Sequence, residues 1–139
     1  MADTVEFELV APERLLVSTP VTMVVVPGAE GDFGVLPGHA PFISSVRTGV
    51  IDIYEDGAVA RHIFVSGGFA EVTPERCTVL ADEAIALDRA DRSAAQSRLA
   101  AAQAAVRDAE TDAERAAAQA EIAVAEALVA AIDAPQRTG

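Results

Sequence analysis

The groups with which this chain could do chemistry are few: His39, His62, the single Cys77, and the carboxylates Glu30 and Asp32 two positions apart. On an extended backbone Glu30 and Asp32 point the same way, a spacing that suits a metal or a glycosidase acid pair. No third ligand accompanies them, so a solvated acidic loop is the simpler reading. His39 could act as a general base, yet no Ser, Cys or carboxylate stands at a recognisable spacing from it. It reads as structural or interfacial, and so does His62, which lies inside a strand pattern. Cys77, in Arg76-Cys77-Thr78-Val79-Leu80, forbids an internal disulfide and reads as a small buried hydrophobe rather than a reactive thiol. No catalytic group, metal site or cofactor is expected.

The two carboxylates and His39 belong to one stretch, residues 26–41, which holds four of the nine glycines and three of the seven prolines. Proline lacks the backbone donor and glycine costs too much backbone entropy for a helix here. Val26, Phe33, Val35 and Leu36 punctuate it, which argues against a loose linker. It is expected to be a tightly shaped surface structure between strands, with Gly31, Gly34 and Gly38 free to take positive φ. Glycine richness invites a phosphate loop, but a Walker loop needs Gly-Lys-Ser/Thr and the chain has no lysine. The dinucleotide fingerprint also fails, because the glycines stand three or four residues apart and Pro37 and Pro41 follow.

The elements that position these groups fall into two regimes that meet near residue 87. Residues 1–87 carry eight of the nine glycines, six of the seven prolines and every aromatic residue; residues 93–134 carry 19 alanines in 42 positions and neither glycine nor proline. In the first regime Val5, Phe7 and Leu9 alternate with Glu6 and Glu8, a half-buried strand. Leu15 to Val17 and Val21 to Val26 are short runs bounded by Pro12, Pro20 and Pro27. Asp56-Gly57 between 50–54 and 58–65 signals a hairpin, and Thr73-Pro74-Glu75 marks a turn between 69–72 and 77–81. Many short strands at close spacing argue for a sandwich or barrel.

The second regime is helical, with Asp88 as the expected N-cap. Ala95, Leu99, Ala102, Val106 and Ala109 form one narrow apolar stripe. Thr111-x-x-Glu114 is a capping box that starts a new helix, along which Ala118, Ile122, Ala125, Val129 and Ile132 continue the spacing to Pro135. The pattern predicts an antiparallel helical hairpin; a single helix over 88–133 is the competing reading, since no glycine or proline marks the bend. The fold class is therefore α+β, with a β-sandwich or barrel over 1–87 and a helical hairpin over 88–139 that ends in a short disordered segment.

Fifty-one per cent hydrophobic residues supply a real core and exclude disorder, while a formal charge of −12 with all ten basic residues arginine disfavours nucleic acid and anionic lipid. The amino-terminal residues show no secretory signal and no apolar run reaches the ~20 residues of a membrane span, so a soluble, cytoplasmic protein is expected.

Three segments in order carry a resemblance. Glu30-Gly31-Asp32-Phe33-Gly34-Val35-Leu36-Pro37-Gly38-His39-Ala40-Pro41 resembles the signature Glu-Gly-x-x-Gly-x-x-Pro-Gly-His-Ala-Pro of the epsilon subunit of bacterial F-type ATP synthases. Ser66-Gly67-Gly68-Phe69-Ala70-Glu71-Val72 is similar to that family's Ser-Gly-Gly-x-x-Glu-Val segment, and Val79-Leu80-Ala81-Asp82-Glu83-Ala84 to its Val-Leu-Ala-Asp-x-Ala segment. The resemblance implies a flattened sandwich of about ten strands, in the manner of small closed β folds, followed by a helix hairpin. It implies a non-catalytic place in the central stalk, bound to the gamma subunit and the c-ring, with alpha and beta subunits within reach of the tail. Membrane association is then only through the complex, at the cytoplasmic face of the bacterial inner membrane. Glu30, Gly31, Asp32 and His39 become the partner-binding residues, the carboxylates facing basic or amide groups of the ring and His39 shaping the loop or abutting gamma.

Two further family roles depend on the tail, and here the chain departs from the pattern. Some members bind ATP between the helices through Ile/Leu-Asp-x-x-Arg-Ala, whereas this chain reads Leu87-Asp88-Arg89-Ala90-Asp91-Arg92-Ser93. The arginine comes one residue late, about 100° around a helix, so Glu83, Asp88 and Arg92 form a poor nucleotide site. The other role is inhibition of hydrolysis by an extended tail with basic residues. Residues 93–134 hold seven acidic and three basic side chains, net −4, so weak or absent inhibition is expected.

Overall fold

The computed structural model describes residues 4–135, which divide into two compact units, 4–88 and 89–135. The expected disordered carboxyl-terminal segment lies outside the described residues.

In the first unit, segments rich in β-branched residues and alternating in polarity become strands. Among the described residues these are β1 (Val5–Ala11), β2 (Arg14–Val21), β3 (Met23–Gly28), β4 (Gly31–Val35), β5 (Phe42–Ser45), β6 (Gly49–Glu55), β7 (Ala58–Val72) and β8 (Arg76–Ala86). They are ordered β2-β1-β8-β7-β6-β3-β4, with β5 joined to β7. Every pair is antiparallel except β1 and β8, which run parallel from Glu6↔Arg76 to Val10↔Leu80. Val5, Phe7 and Leu9 point inward and are fully buried with Val24, Val26, Ile51, Ile53, Val65 and Val79 in one core. Cys77 is part of that core, and burial pushes its thiol up to about 12. It is the small hydrophobe its neighbours suggested.

Where two strands were expected at 58–65 and 69–72, β7 is continuous. Its first half pairs with β6 and its second with β5. Between the halves Gly67 (φ 68°) and Gly68 (φ 116°) occupy left-handed backbone, and a Cβ on Gly68 would collide with the Leu80 carbonyl. Pairing with β8 resumes in the same register, Ser66↔Glu83 then Gly68↔Ala81, so the strand bends without slipping. Where the resemblance implies about ten strands, eight stand among the described residues, in part because β7 is one strand that pairs with both β6 and β5. The prolines expected to bound strands also differ. Pro20 lies inside β2, an edge strand that does not require its N–H, and Pro27 lies inside β3 beyond the last β3–β6 pair at Val25↔Asp52.

The two short turns follow their sequence signals. Asp56 (φ 55°) and Gly57 (φ 81°) close β6 on β7 as a two-residue turn with both φ positive. Thr73 and Arg76 exchange backbone hydrogen bonds of 2.8 and 3.3 Å around Pro74-Glu75.

In the second unit the helices are α1 (Arg92–Asp108) and α2 (Asp112–Asp133), preceded by a 3₁₀ turn at Leu87–Arg89. The N-cap of α1 is Asp91, not Asp88: the Asp91 carboxylate accepts from the Ser93 N–H at 3.0 Å, and Asp88 sits within the 3₁₀ turn. The chain breaks at Ala109–Thr111, and Thr111 caps α2 by accepting from the Glu114 N–H at 3.0 Å, so the hairpin and not the single helix forms. Ala95 and Ala102 of α1 and Ala118, Ala125 and Leu128 of α2 are its buried residues. Leu128 was absent from the expected stripe; it lies three residues beyond Ala125 and widens it. Arg92 binds Asp133 through Nε and Nη2 at 2.7 and 3.1 Å, and Arg98 binds Glu121 at 2.5 and 3.1 Å, which fixes the antiparallel alignment. The hydrogen bonds from these guanidiniums hold the Asp133 and Glu121 carboxyls below the usual range.

Candidate partner-docking interface

The stretch 26–41 is three pieces rather than one loop. β3 and β4 form a hairpin closed at Gly28↔Gly31, with Glu30 exposed on its turn; Asp32 is in β4; His39 is on the connection from Leu36 to Pro41. Gly31 (φ 136°) and Gly38 (φ 81°) take positive φ as expected, but Gly34 is an ordinary strand residue in β4. Glu30 and Asp32 thus do not share an extended segment.

Hydrogen bonds tie the pieces together. The Gly38 N–H donates to the Pro74 carbonyl at 2.8 Å, which pins the connection to the β7–β8 turn, and the His39 N–H donates to Leu36 O at 3.1 Å. The His39 ring Nδ1 lies 2.6 Å from Ala40 O, and Phe42 stacks edge-on against Phe33 with centroids 5.1 Å apart. His39 therefore has a conformational task in its own loop.

Arg47 is a residue of this region that sequence reasoning missed. Its backbone N–H donates to Pro27 O at 2.9 Å, Nη1 donates to Gly28 O at 2.6 Å, and Nη2 donates to Asp32 Oδ1 at 2.6 Å. Asp32 is consequently paired within the chain, while the Glu30 carboxylate has no partner among the described residues. Nothing local in the sequence joins positions 32 and 47. The link arises because Val46 bridges to Gly28 and carries its neighbour to the hairpin.

A second surface was also missed. Leu15, Val10, Leu80 and Phe69 are register neighbours across β2, β1, β8 and β7, all on the outward face. Leu15, Leu80 and Phe69 are each more than half exposed, and Ile43 of β5, opposite Glu71, is exposed at 71%. At ~4.8 Å per strand the four-residue row spans roughly 15 Å. Its sequence signal was available: Leu15-Leu16 and Val79-Leu80 are adjacent apolar pairs in strands, and such pairs must place one member on each face.

Of the residues considered for a nucleotide, Glu83 and Arg92 have partners within the chain and Asp88 has a place in the turn before α1. Ser66 Oγ donates to Glu83 at 3.4 Å, Asp88 lies in the 3₁₀ turn, and Arg92 is held by Asp133. His62 pairs with Asp52 across β6 and β7 at 2.7 Å. Among the described residues no group of His, Cys, Asp and Glu is placed to hold a metal ion.

The profile of the ATP synthase, Delta/Epsilon chain, beta-sandwich domain family matches residues 4–87, essentially the whole first unit. The chain belongs to that family. The likeness continues into the helices: the ATP synthase epsilon chain of Rhodospirillum rubrum is 59% identical over 112 residues, 81% of this chain and 84% of the relative. The ATP synthase epsilon chain of Rhodospirillum centenum is 58% identical over 117 residues, covering 81% and 80%. Among solved structures, a chain of the Euglena gracilis mitochondrial ATP synthase OSCP/F1/c-ring assembly superposes with a TM-score of 0.77 at 24% identity, over 94% of this chain and 82% of that one. The last likeness is one of fold. In this epsilon-family chain the three recognised segments fall at structural junctions: the β3–β4 end with its following connection, the bend of β7, and the part of β8 that pairs with that bend. No described helix is long and apolar enough to cross a membrane.

Proposed function

We propose that this chain is a non-catalytic rotor subunit of the central stalk of a proton-translocating F-type ATP synthase, peripheral to the cytoplasmic face of the bacterial inner membrane and coupling c-ring rotation to ATP synthesis. The observation that carries the reading is the apolar row Leu15, Val10, Leu80 and Phe69 on the outside of a sandwich that already has a complete core. A contiguous apolar row on a small domain marks a partner surface, and the gamma subunit is the partner assigned to it. The β3–β4 end, with Glu30, Gly31, Asp32 and His39, is assigned to the c-ring loops, where a rigid contour and a free carboxylate suit basic or amide groups. The Euglena neighbour of like fold comes from an OSCP/F1/c-ring assembly, which supports a place beside a c-ring.

The test is Phe69→Ser combined with Leu80→Ser. The pair should retain the β circular-dichroism spectrum and lose at least tenfold in affinity for gamma, since truncating central apolar anchors typically costs 2 kcal/mol or more. Unchanged affinity would remove the assignment. The rival reading, a nucleotide-sensing module, requires Arg92 to leave Asp133 before it can meet a phosphate. Calorimetric titration should show no micromolar ATP binding. The tail, acidic overall, is assigned weak or absent inhibition of hydrolysis.

A further inference from the structure

We propose that Arg47 is the positioning residue of the ring-docking end: it rivets the β3–β4 hairpin to the β5–β6 connection and presents Asp32 to the partner through one oxygen. This rests on the assignment of that end to the c-ring. Three bonds leave Arg47 for three consecutive features of the hairpin: the Pro27 carbonyl, the Gly28 carbonyl and Asp32 Oδ1. Only a planar fork with several donors reaches a carbonyl and a carboxylate at once; a lysine ammonium supplies a single point of charge. The fork occupies Oδ1 of Asp32 and no bond from the described residues engages Oδ2, while Asp32 remains 46% exposed on its side chain. Asp32 is therefore oriented by Arg47 through one oxygen and paired with its charge. Glu30, on the turn beyond, contributes the unpaired charge. The docking end offers one free carboxylate and one pre-oriented one, and Arg47 determines the difference between them.

The geometry also assigns a mechanical part. Gly28 and Gly31 close the hairpin, and the Gly28 carbonyl is where the fork attaches. Removing the fork takes away the side-chain ties to the Gly28 carbonyl and Asp32, leaving the backbone bonds from Ala29 N–H to Ser45 O and from Arg47 N–H to Pro27 O, each 2.9 Å, and leaving the core residues untouched. The effect belongs in binding, with little in global stability, because an exposed ion pair contributes at most about 1 kcal/mol.

The experiment measures binding of the full-length chain to a gamma–c-ring complex in detergent, at two salt concentrations, alongside thermal unfolding of each free variant. Arg47→Met retains the stem and removes the fork. It should weaken binding about tenfold with little change in Tm, and Arg47→Lys should restore only part of the loss. Asp32→Asn should weaken binding in the parent but add little in the Arg47→Met background, because both changes abolish the same oriented carboxylate. Glu30→Gln should weaken binding in both backgrounds and reduce its salt dependence. If Asp32→Asn or Glu30→Gln weakens binding while Arg47→Met does not, Arg47 has no positioning role and the docking assignment stands. Full recovery with Arg47→Lys, or losses from Arg47→Met and Asp32→Asn that add independently, would equally overturn the proposal. If all three single variants bind as the parent does, the docking assignment itself is wrong and the proposal falls with it.

Discussion

Gly68 is held at φ 116° against the Leu80 carbonyl, a position where an added methyl meets both strain and collision. Gly68→Ala should destabilise the sandwich by about 3 kcal/mol, read as a lowered midpoint in urea; a shift near zero would mean that β7 can bend elsewhere. Cys77 makes a different prediction. Its ordinary value near 9 is pushed up to about 12 by burial. Between those values the unfolded chain has released the proton and the native chain retains it, so the unfolded state binds fewer protons and stability falls as pH rises. A Cys77→Ala variant, whatever its absolute stability, should lack that part of the slope between about pH 9 and pH 12. The native thiol should react with a disulfide reagent only at the rate of global unfolding.

At the scale of elements, the helical hairpin rests on small side chains and two fork-to-carboxylate pairs. The Arg98 hydrogen bond lowers the Glu121 carboxyl, so its contribution is present above the unfolded value near 4.5 and is lost as pH falls through the lower native value. Hydrogen-exchange protection of α1 and α2 should decline in that acid window. Glu121→Gln should flatten the decline while costing about 0.5 kcal/mol at neutral pH, the magnitude of a partly exposed pair. These elements also separate what the sequence disclosed from what it concealed. The inward set Val5, Phe7 and Leu9, the Asp56-Gly57 turn and the Thr111 cap were legible because each depends on residues within four positions of one another. The continuity of β7, the prolines inside β2 and β3, and the tie from Arg47 to Asp32 were not. Each of those depends on which strand lies alongside, and alternation says which face a residue takes without naming its neighbour. The β3–β4 end was legible as a shaped segment, but its carboxylates were read as equivalent when one of them has a partner 15 residues away.

The whole molecule is two units, and every member of the sandwich core lies before residue 85. Deleting residues 89–139 should therefore leave the β spectrum and gamma binding intact. With the acidic tail gone, ATP hydrolysis by the reconstituted enzyme should change less than twofold; a several-fold rise would show that the helices inhibit after all. The parallel pairing of β1 with β8 adds a constraint in time. Glu6 must find Arg76 across 70 positions of chain, so the first strand synthesised waits for the last before its second edge is covered. Such distant pairings slow folding and prolong exposure of sticky edges.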